Sequence, residues 1–138
     1  MDVHSKEVRS YNMSRIKGKN TKPEMLVRKF LFNNKFRYRL HARNLPGKPD
    51  LVLKKYRALI FINGCFWHGH KECKYYTVPK TRTEWWTAKI NMTIAKDRDN
   101  IEKLKSQGWR IFTLWECQLK KKHLETTLKT LINELNDD

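Results

Sequence analysis

The sequence predicts an α/β domain, a small mixed β-sheet flanked by helices, and three patterns carry that prediction. Residues 58–62 (ALIFI) form a continuous apolar run, as expected of an inner strand covered on both faces. Between Thr83 and Gln107, the residues Trp86, Ile90, Ile94, Ile101 and Leu104 recur at helical spacing, and Gly108 is placed to stop the helix. Leu124, Leu128, Leu131 and Leu135 repeat that period near the end, behind a strand-like segment from Arg110 to Trp115.

The remaining elements fit around these. Residues 1–20 are basic and polar, with little periodicity beyond Met13 and Ile16, and read as an arm. Residues 21–138 then form a single domain, the amount of core a chain of 138 residues can bury comfortably. Thr21-Lys22-Pro23-Glu24 fits a capping box, with Thr21 at the N-cap and Glu24 as its reciprocal partner. Leu26, Val27, Phe30 and Leu31 supply the apolar stripe of the helix that follows. Phe36 to His41 alternates apolar with basic residues, as in a half-buried strand. Leu45-Pro46-Gly47-Lys48-Pro49 is a loop, Asp50 to Leu53 a short strand, and Lys54-Lys55 a turn.

Lys and Arg total 30 against 14 acidic residues, a formal net charge of +16. A small domain that repels itself this strongly points to a polyanionic partner, and to nucleic acid before a lipid surface. No stretch of about 18 apolar residues could span a bilayer and no apolar leader opens the chain, so a cytoplasmic, nucleoid-associated protein is expected.

The cysteines are Cys65, Cys73 and Cys117. Their odd number in a chain read as unsecreted argues against a disulfide framework. With His70 between the first two, one tetrahedral zinc site would use every cysteine. Four protein ligands leave no open position, so this zinc would be structural. The alternative is three small buried thiols beside a surface histidine.

Chemistry must then lie with other side chains. Asp50, at the start of a strand, is placed to hold a hard cation, or else caps a loop. Asp97 interrupts the apolar stripe of the long helix and needs a histidine or arginine partner, in a shared site or in a structural ion pair. His68 is a candidate general base, unless it replaces His70 at the zinc. Glu24 is accounted for by its cap, with a place at the active site as the second reading. Phe66, Trp67, Trp85 and Trp86 lie among Lys71, Lys74, Lys80 and Arg82, a mixture suited to stacking on bases or wedging between them. Trp86 also begins its helix's apolar stripe. Trp109 and Trp115 are expected in the core.

Taken in order, these segments resemble the very-short-patch mismatch-repair (Vsr) DNA endonucleases. The matching stretches are Arg9-Ser10 with Asn12-Met13, TKPE at 21–24, LPGKPD at 45–50 and GCFWH at 64–68. They continue through Pro79, the run Thr81-Arg82-Thr83-Glu84 with Trp86, Asp97, Gly108-Trp109-Arg110 and WEC at 115–117. The resemblance implies a restriction-endonuclease-like fold and hydrolysis of one DNA strand 5′ to the thymine of a T:G mismatch. It implies Mg²⁺ at Asp50 and the Ile62 carbonyl, His68 activating water with Asp97 orienting it, and zinc at Cys65, His70, Cys73 and Cys117. Phe66, Trp67 and Trp86 would wedge into the duplex, and Met13 and Ile16 would approach from the minor groove. The expected partners are double-stranded DNA carrying a T:G pair and mismatch-repair proteins, with the enzyme acting as a monomer.

Asn63 departs from the family pattern, because some members carry a second histidine there. Asparagine donates a hydrogen bond but carries no titrating proton, which removes a two-histidine mechanism through that position. A zinc-stabilised module that recognises distorted duplex without cutting has the same charge and wedges, but gives no reason to bring Asp50, His68 and Asp97 together.

Overall fold

The structure, a computed structural model, describes residues 21–70, 73–74 and 77–137. The arm at 1–20, with Met13 and Ile16, lies outside the described residues, as does Lys71.

Helix α1 (Lys22–Asn33) starts as its capping sequence dictates: Thr21 Oγ1 accepts from the Glu24 amide at 3.4 Å, and Pro23 occupies the first turn. Val27 and Leu31 on its inner face are fully buried. The strand expected over Phe36–His41 contracts to β1 (Arg39–Leu40), two exposed residues. The physical reason is at its ends. Lys35 and His41 both adopt left-handed backbone conformations (φ 69° and 49°), and the Phe36 amide donates back to the Leu31 carbonyl at 2.9 Å. Phe36 therefore closes α1 and plugs the core, and its alternation with basic neighbours is not that of a strand.

β2 (Leu51–Leu53) pairs antiparallel with β1 and with β3 (Ala58–Asn63), across a 3₁₀ turn at Lys54–Tyr56. Helix α2 (Thr83–Ser106) then carries the chain over to β4 (Arg110–Trp115), which pairs parallel with β3. A short 3₁₀ segment (Glu116–Leu119) leads into α3 (Lys121–Asn136). The sheet order β1-β2-β3-β4 makes β3 an inner strand, as its apolar run requires.

Period-two alternation sorts the strands' side chains between two faces. Leu51, Leu53, Ala58 and Ile60 join Leu114 and the buried residues of α1 and α3. Val52 and Leu59 meet Leu104 of α2, with half-buried Trp109 against them. Leu128, Leu131 and Leu135 of α3 are at most 4% exposed, and each contributes roughly 1.5–3 kcal/mol of burial. Arg110 fastens the two ends of this layer. Its guanidinium donates to the Tyr56 carbonyl and to those of Glu134, Leu135 and Asp137, supplying the cation that the last turn of α3 lacks.

Along β3 the first three residues are buried and the last three only half-buried. The strand thus runs out of the core into a cleft, and the functional groups gather there. Among the described residues no helix is long and apolar enough to cross a membrane.

Candidate active site and metal centre

Asp50 stands just before β2 and faces the emerging end of β3. Its amide donates to the Ile60 carbonyl at 3.0 Å, and its Oδ2 accepts from the Ile62 amide at 2.7 Å, so β3 fixes both its main chain and one carboxylate oxygen. Burial pushes its pKa up to about 6, with help from nearby Glu24, while the Ile62 amide, His41 and His68 act in the opposite direction.

Only the amide of Glu24 serves the cap; its carboxylate, expected to reach back to the Thr21 amide, turns instead to Arg28 and His41. Its residue is 1% exposed, and its Oε2 accepts from Arg28 Nη1 at 3.3 Å, one helical turn on, and is 2.9 Å from His41 Nε2. The His41 amide donates to the Asp50 carbonyl at 3.0 Å. One ligand atom from each of Glu24, His41 and Asp50 lies within 4.8 Å of the others. His41 is the one residue of this centre that the sequence reading missed.

The loop after β3 resolves the two histidines. His68 Nδ1 lies 2.6 Å from Asp97 Oδ2. An ionised carboxylate can only accept, so the contact favours a proton on Nδ1, and the neutral ring in that tautomer presents the Nε2 lone pair. Asp97 occupies the stripe position expected of it, with a side chain 34% exposed and facing a cleft. Gly69 makes this approach possible. It has φ +60°, and a Cβ there would lie 2.6 Å from Ile94 Cδ1 and 2.8 Å from Ile90 Cγ2.

Two hollows meet at Asp50. The larger, about 470 Å³, is lined by Glu24, Asp50, His68 and the aromatics Phe66 and Trp67. The smaller, about 250 Å³, adds Lys48, Asp97 and Asn100. Asn63 and Ile62, like Asp50 and His68, line both.

Phe66, Trp67 and Trp86 form one cluster, with ring centroids 5.1–5.9 Å apart. Trp86 therefore serves the loop's aromatic group while starting its helix. Trp85 packs edge-on against it at 4.8 Å and is 45% exposed, with Arg82 4.8 Å from its ring centroid and Lys89 5.5 Å. Trp109 packs against the core as expected. Trp115, expected in the core, is only half-buried, and its ring stacks on His70 (4.1 Å, 6° between planes).

Cys65, His70, Cys73 and Cys117 converge so that one donor atom from each lies within 4.8 Å of the rest. The Cys117 amide donates to Cys65 Sγ at 3.4 Å, and Cys117 Sγ is 3.4 Å from His70 Nδ1. Burial pushes the Cys65 thiol up to about 12 and raises that of Cys117 as well. The Cys65 and Cys117 thiols, disfavoured as anions, need a cation to ionise. A tetrahedral ion with Zn–S bonds of about 2.3 Å fits this set of three sulfurs and one nitrogen.

The raised pKa of Asp50 carries a stability consequence. Between the unfolded value of 3.8 and about 6 the folded chain holds the extra proton, so stability falls as pH rises through that window. With Mg²⁺ omitted, Asp50→Asn should match the parent near pH 4 and exceed it above pH 6 by on the order of 2 kcal/mol. Thermal melts of the two proteins at both pH values would show it. A constant difference across pH would mean that burial is not what perturbs Asp50.

Residues 1–74 of the chain match the family described as DNA mismatch endonuclease Vsr. The type II nicking enzyme V.NmeAIP of Neisseria meningitidis serogroup A is 42% identical over 137 residues, 99% of this chain and 97% of that protein. The type II nicking enzyme V.XorIIP of Xanthomonas oryzae pv. oryzae is 42% identical over 86% of each chain. The DNA mismatch endonuclease Vsr of Escherichia coli is 42% identical over 119 residues, 86% of this chain and 76% of that one.

Proposed function

Because the chain belongs to the Vsr family of DNA mismatch endonucleases and is an endonuclease, we propose that it nicks one DNA strand 5′ to the thymine of a T:G mismatch. Hydrolysis would be Mg²⁺-dependent, on a restriction-endonuclease-like fold, by a monomer acting in the cytoplasm beside mismatch-repair proteins. The observation that carries this reading is the His68–Asp97 pair, 2.6 Å apart and opening on the same hollow as the Asp50 carboxylate.

In this reading Asp50 and the Ile62 carbonyl hold Mg²⁺, a fit for an oxygen-seeking ion at a carboxylate that backbone already immobilises. Bound there, the ion would neutralise phosphate charge and stabilise the leaving oxygen. His68 Nε2 takes the proton from the attacking water as its oxygen bonds to phosphorus and the bond to the leaving oxygen breaks. The positive charge gained by His68 is balanced at Nδ1 by Asp97. Asn63 donates its amide hydrogen to the phosphate and exchanges no proton. Glu24 acts through its place beside Asp50. Cys65, His70, Cys73 and Cys117 hold a structural zinc.

Phe66, Trp67 and Trp86 are assigned to the wedge, with Met13 and Ile16 on the minor-groove side. A T:G wobble stacks less securely than a matched pair, so inserting rings there costs less deformation energy. The net charge of +16 supplies affinity for any duplex.

Labelled duplexes differing only in one T:G pair, incubated with Mg²⁺, test the proposal. A nick confined to the mismatched duplex is expected, and equal cleavage of both would end the mismatch reading. Trp67→Ala should lower the preference for T:G by roughly tenfold, the scale of one mismatched pair, and leave the salt dependence of binding unchanged. Undiminished discrimination in that variant would remove the wedge.

A further inference from the structure

We propose that Glu24, His41 and Asp50 form a mixed nitrogen–oxygen cation site, with His41 Nε2 as a direct ligand, selective for a borderline divalent ion such as Mn²⁺ over Mg²⁺. The inference deepens the reading of Asp50 as a metal ligand. It differs in its donors, since the position between Asp50 and the Ile62 carbonyl offers oxygen alone.

Three elements deliver the donors: the first turn of α1, the residue after β1, and the residue before β2. The bond from the His41 amide to the Asp50 carbonyl (3.0 Å) holds the last two in register. His41 Nε2 and Glu24 Oε2 are 2.9 Å apart. Adjacent ligands of an octahedral ion with bonds of about 2.1 Å stand about 3 Å apart. Asp50 lies within 4.8 Å of both, so a small rotation of its side chain closes the set.

The charge also fits. Glu24 and Asp50 bring two carboxylates into a space where Glu24 is 1% exposed. The Arg28 contact at 3.3 Å answers one of them. A buried and a half-buried carboxylate this close together favour a cation between them. The hollow of about 470 Å³ bordered by Glu24 and Asp50 has room to complete the coordination sphere with water. Mg²⁺ takes oxygen ligands and water, whereas the divalent first-row transition ions gain affinity from an imidazole nitrogen, Mn²⁺ least among them. The alternative is a protonated His41 that pairs with Glu24 and binds no metal.

The test uses the whole chain without DNA, the cysteine cluster saturated with Zn²⁺, and Mn²⁺ as the probe. Wild-type protein should bind one Mn²⁺ whose electron spin-echo spectrum carries ¹⁴N coupling from imidazole. His68→Asn should retain that coupling. His41→Gln should lose it and weaken Mn²⁺ binding by roughly tenfold or more. Absence of ¹⁴N coupling in the wild type, or its survival in His41→Gln, overturns the proposal. Should His41→Gln fail to fold, labelling the histidines of His68→Asn with ¹⁵N decides instead, and an unaltered signal rejects the site. Nicking with Mg²⁺ but no nitrogen coupling refutes this inference alone. Nitrogen coupling in a protein that never nicks refutes the proposed function alone.

Discussion

His68→Ala should lose nicking by about 10²–10⁴-fold, the contribution of a positioned general base, and Asp50→Ala by at least as much, with duplex affinity little changed in either. The reason is where each group acts. In the proposed mechanism His68 and an ion at Asp50 meet charge that develops only as phosphorus is attacked, whereas the aromatic cluster and the basic surface would grip the ground state. Asp97→Asn should also be slow despite its near-identical shape. An amide can donate to Nδ1, which favours the tautomer that places the proton on Nε2, where the base must be free. Single-turnover rates on a T:G duplex with saturating Mg²⁺ make the measurement. A variant that still nicks near the parental rate has been assigned the wrong part. Asp50→Ala carries its own control, because losing a buried carboxylate whose pKa is raised to about 6 should not destabilise the metal-free fold at neutral pH.

Cys117→Ser is expected to release zinc and to unfold much of the domain. Cys117 enters from the end of β4, while Cys65, His70 and Cys73 come from the loop after β3. A zinc ion held by all four, as proposed, would tie that loop to the sheet, and its binding free energy would be folding free energy, about 10–16 kcal/mol for structural sites. The whole stability of a small domain is only about 5–15 kcal/mol, so losing one ligand of four should not be tolerated. Elemental analysis should find one zinc per chain in the parent and far less in the variant, with a collapse in melting temperature. Active, freshly purified protein without zinc would sink this assignment.

What could be read from the residues, and what could not, divides along a physical line. α2, β3, β4 and α3 were legible because their periodicity reflects burial, and burial decided them. The pairing of Asp97 with a histidine was legible for the same reason, since a carboxylate in an apolar stripe must find a partner. His68 and His70 could not be told apart, because the loop's path depends on Gly69 at φ +60° and not on spacing. His41 was missed because its alternating neighbours imitated a strand. Its left-handed backbone turns its ring onto Glu24, seventeen residues away. The available signal was a histidine shortly before a Pro/Gly loop that ends in a candidate metal ligand. Glu24 had a sufficient local explanation in its cap, and nothing local betrays that its carboxylate points inward instead of back to Thr21.

Gly69 has a consequence for how freely this protein can change. Within Gly64–His70 successive residues serve the cysteine–histidine cluster (Cys65, His70), the aromatic group (Phe66, Trp67) and the pair with Asp97 (His68), and Gly69 lets the loop lie against Ile90 and Ile94. One insertion or deletion in that stretch would put every one of those side chains out of phase at once, with no neighbouring slack to absorb it. New specificities should therefore arise by exchange of side chains at constant loop length, or in segments away from this one. In a library of random single-residue insertions, survivors should be absent from residues 65–70 and common in the surface turn around Lys54–Tyr56, whose two lysines are exposed.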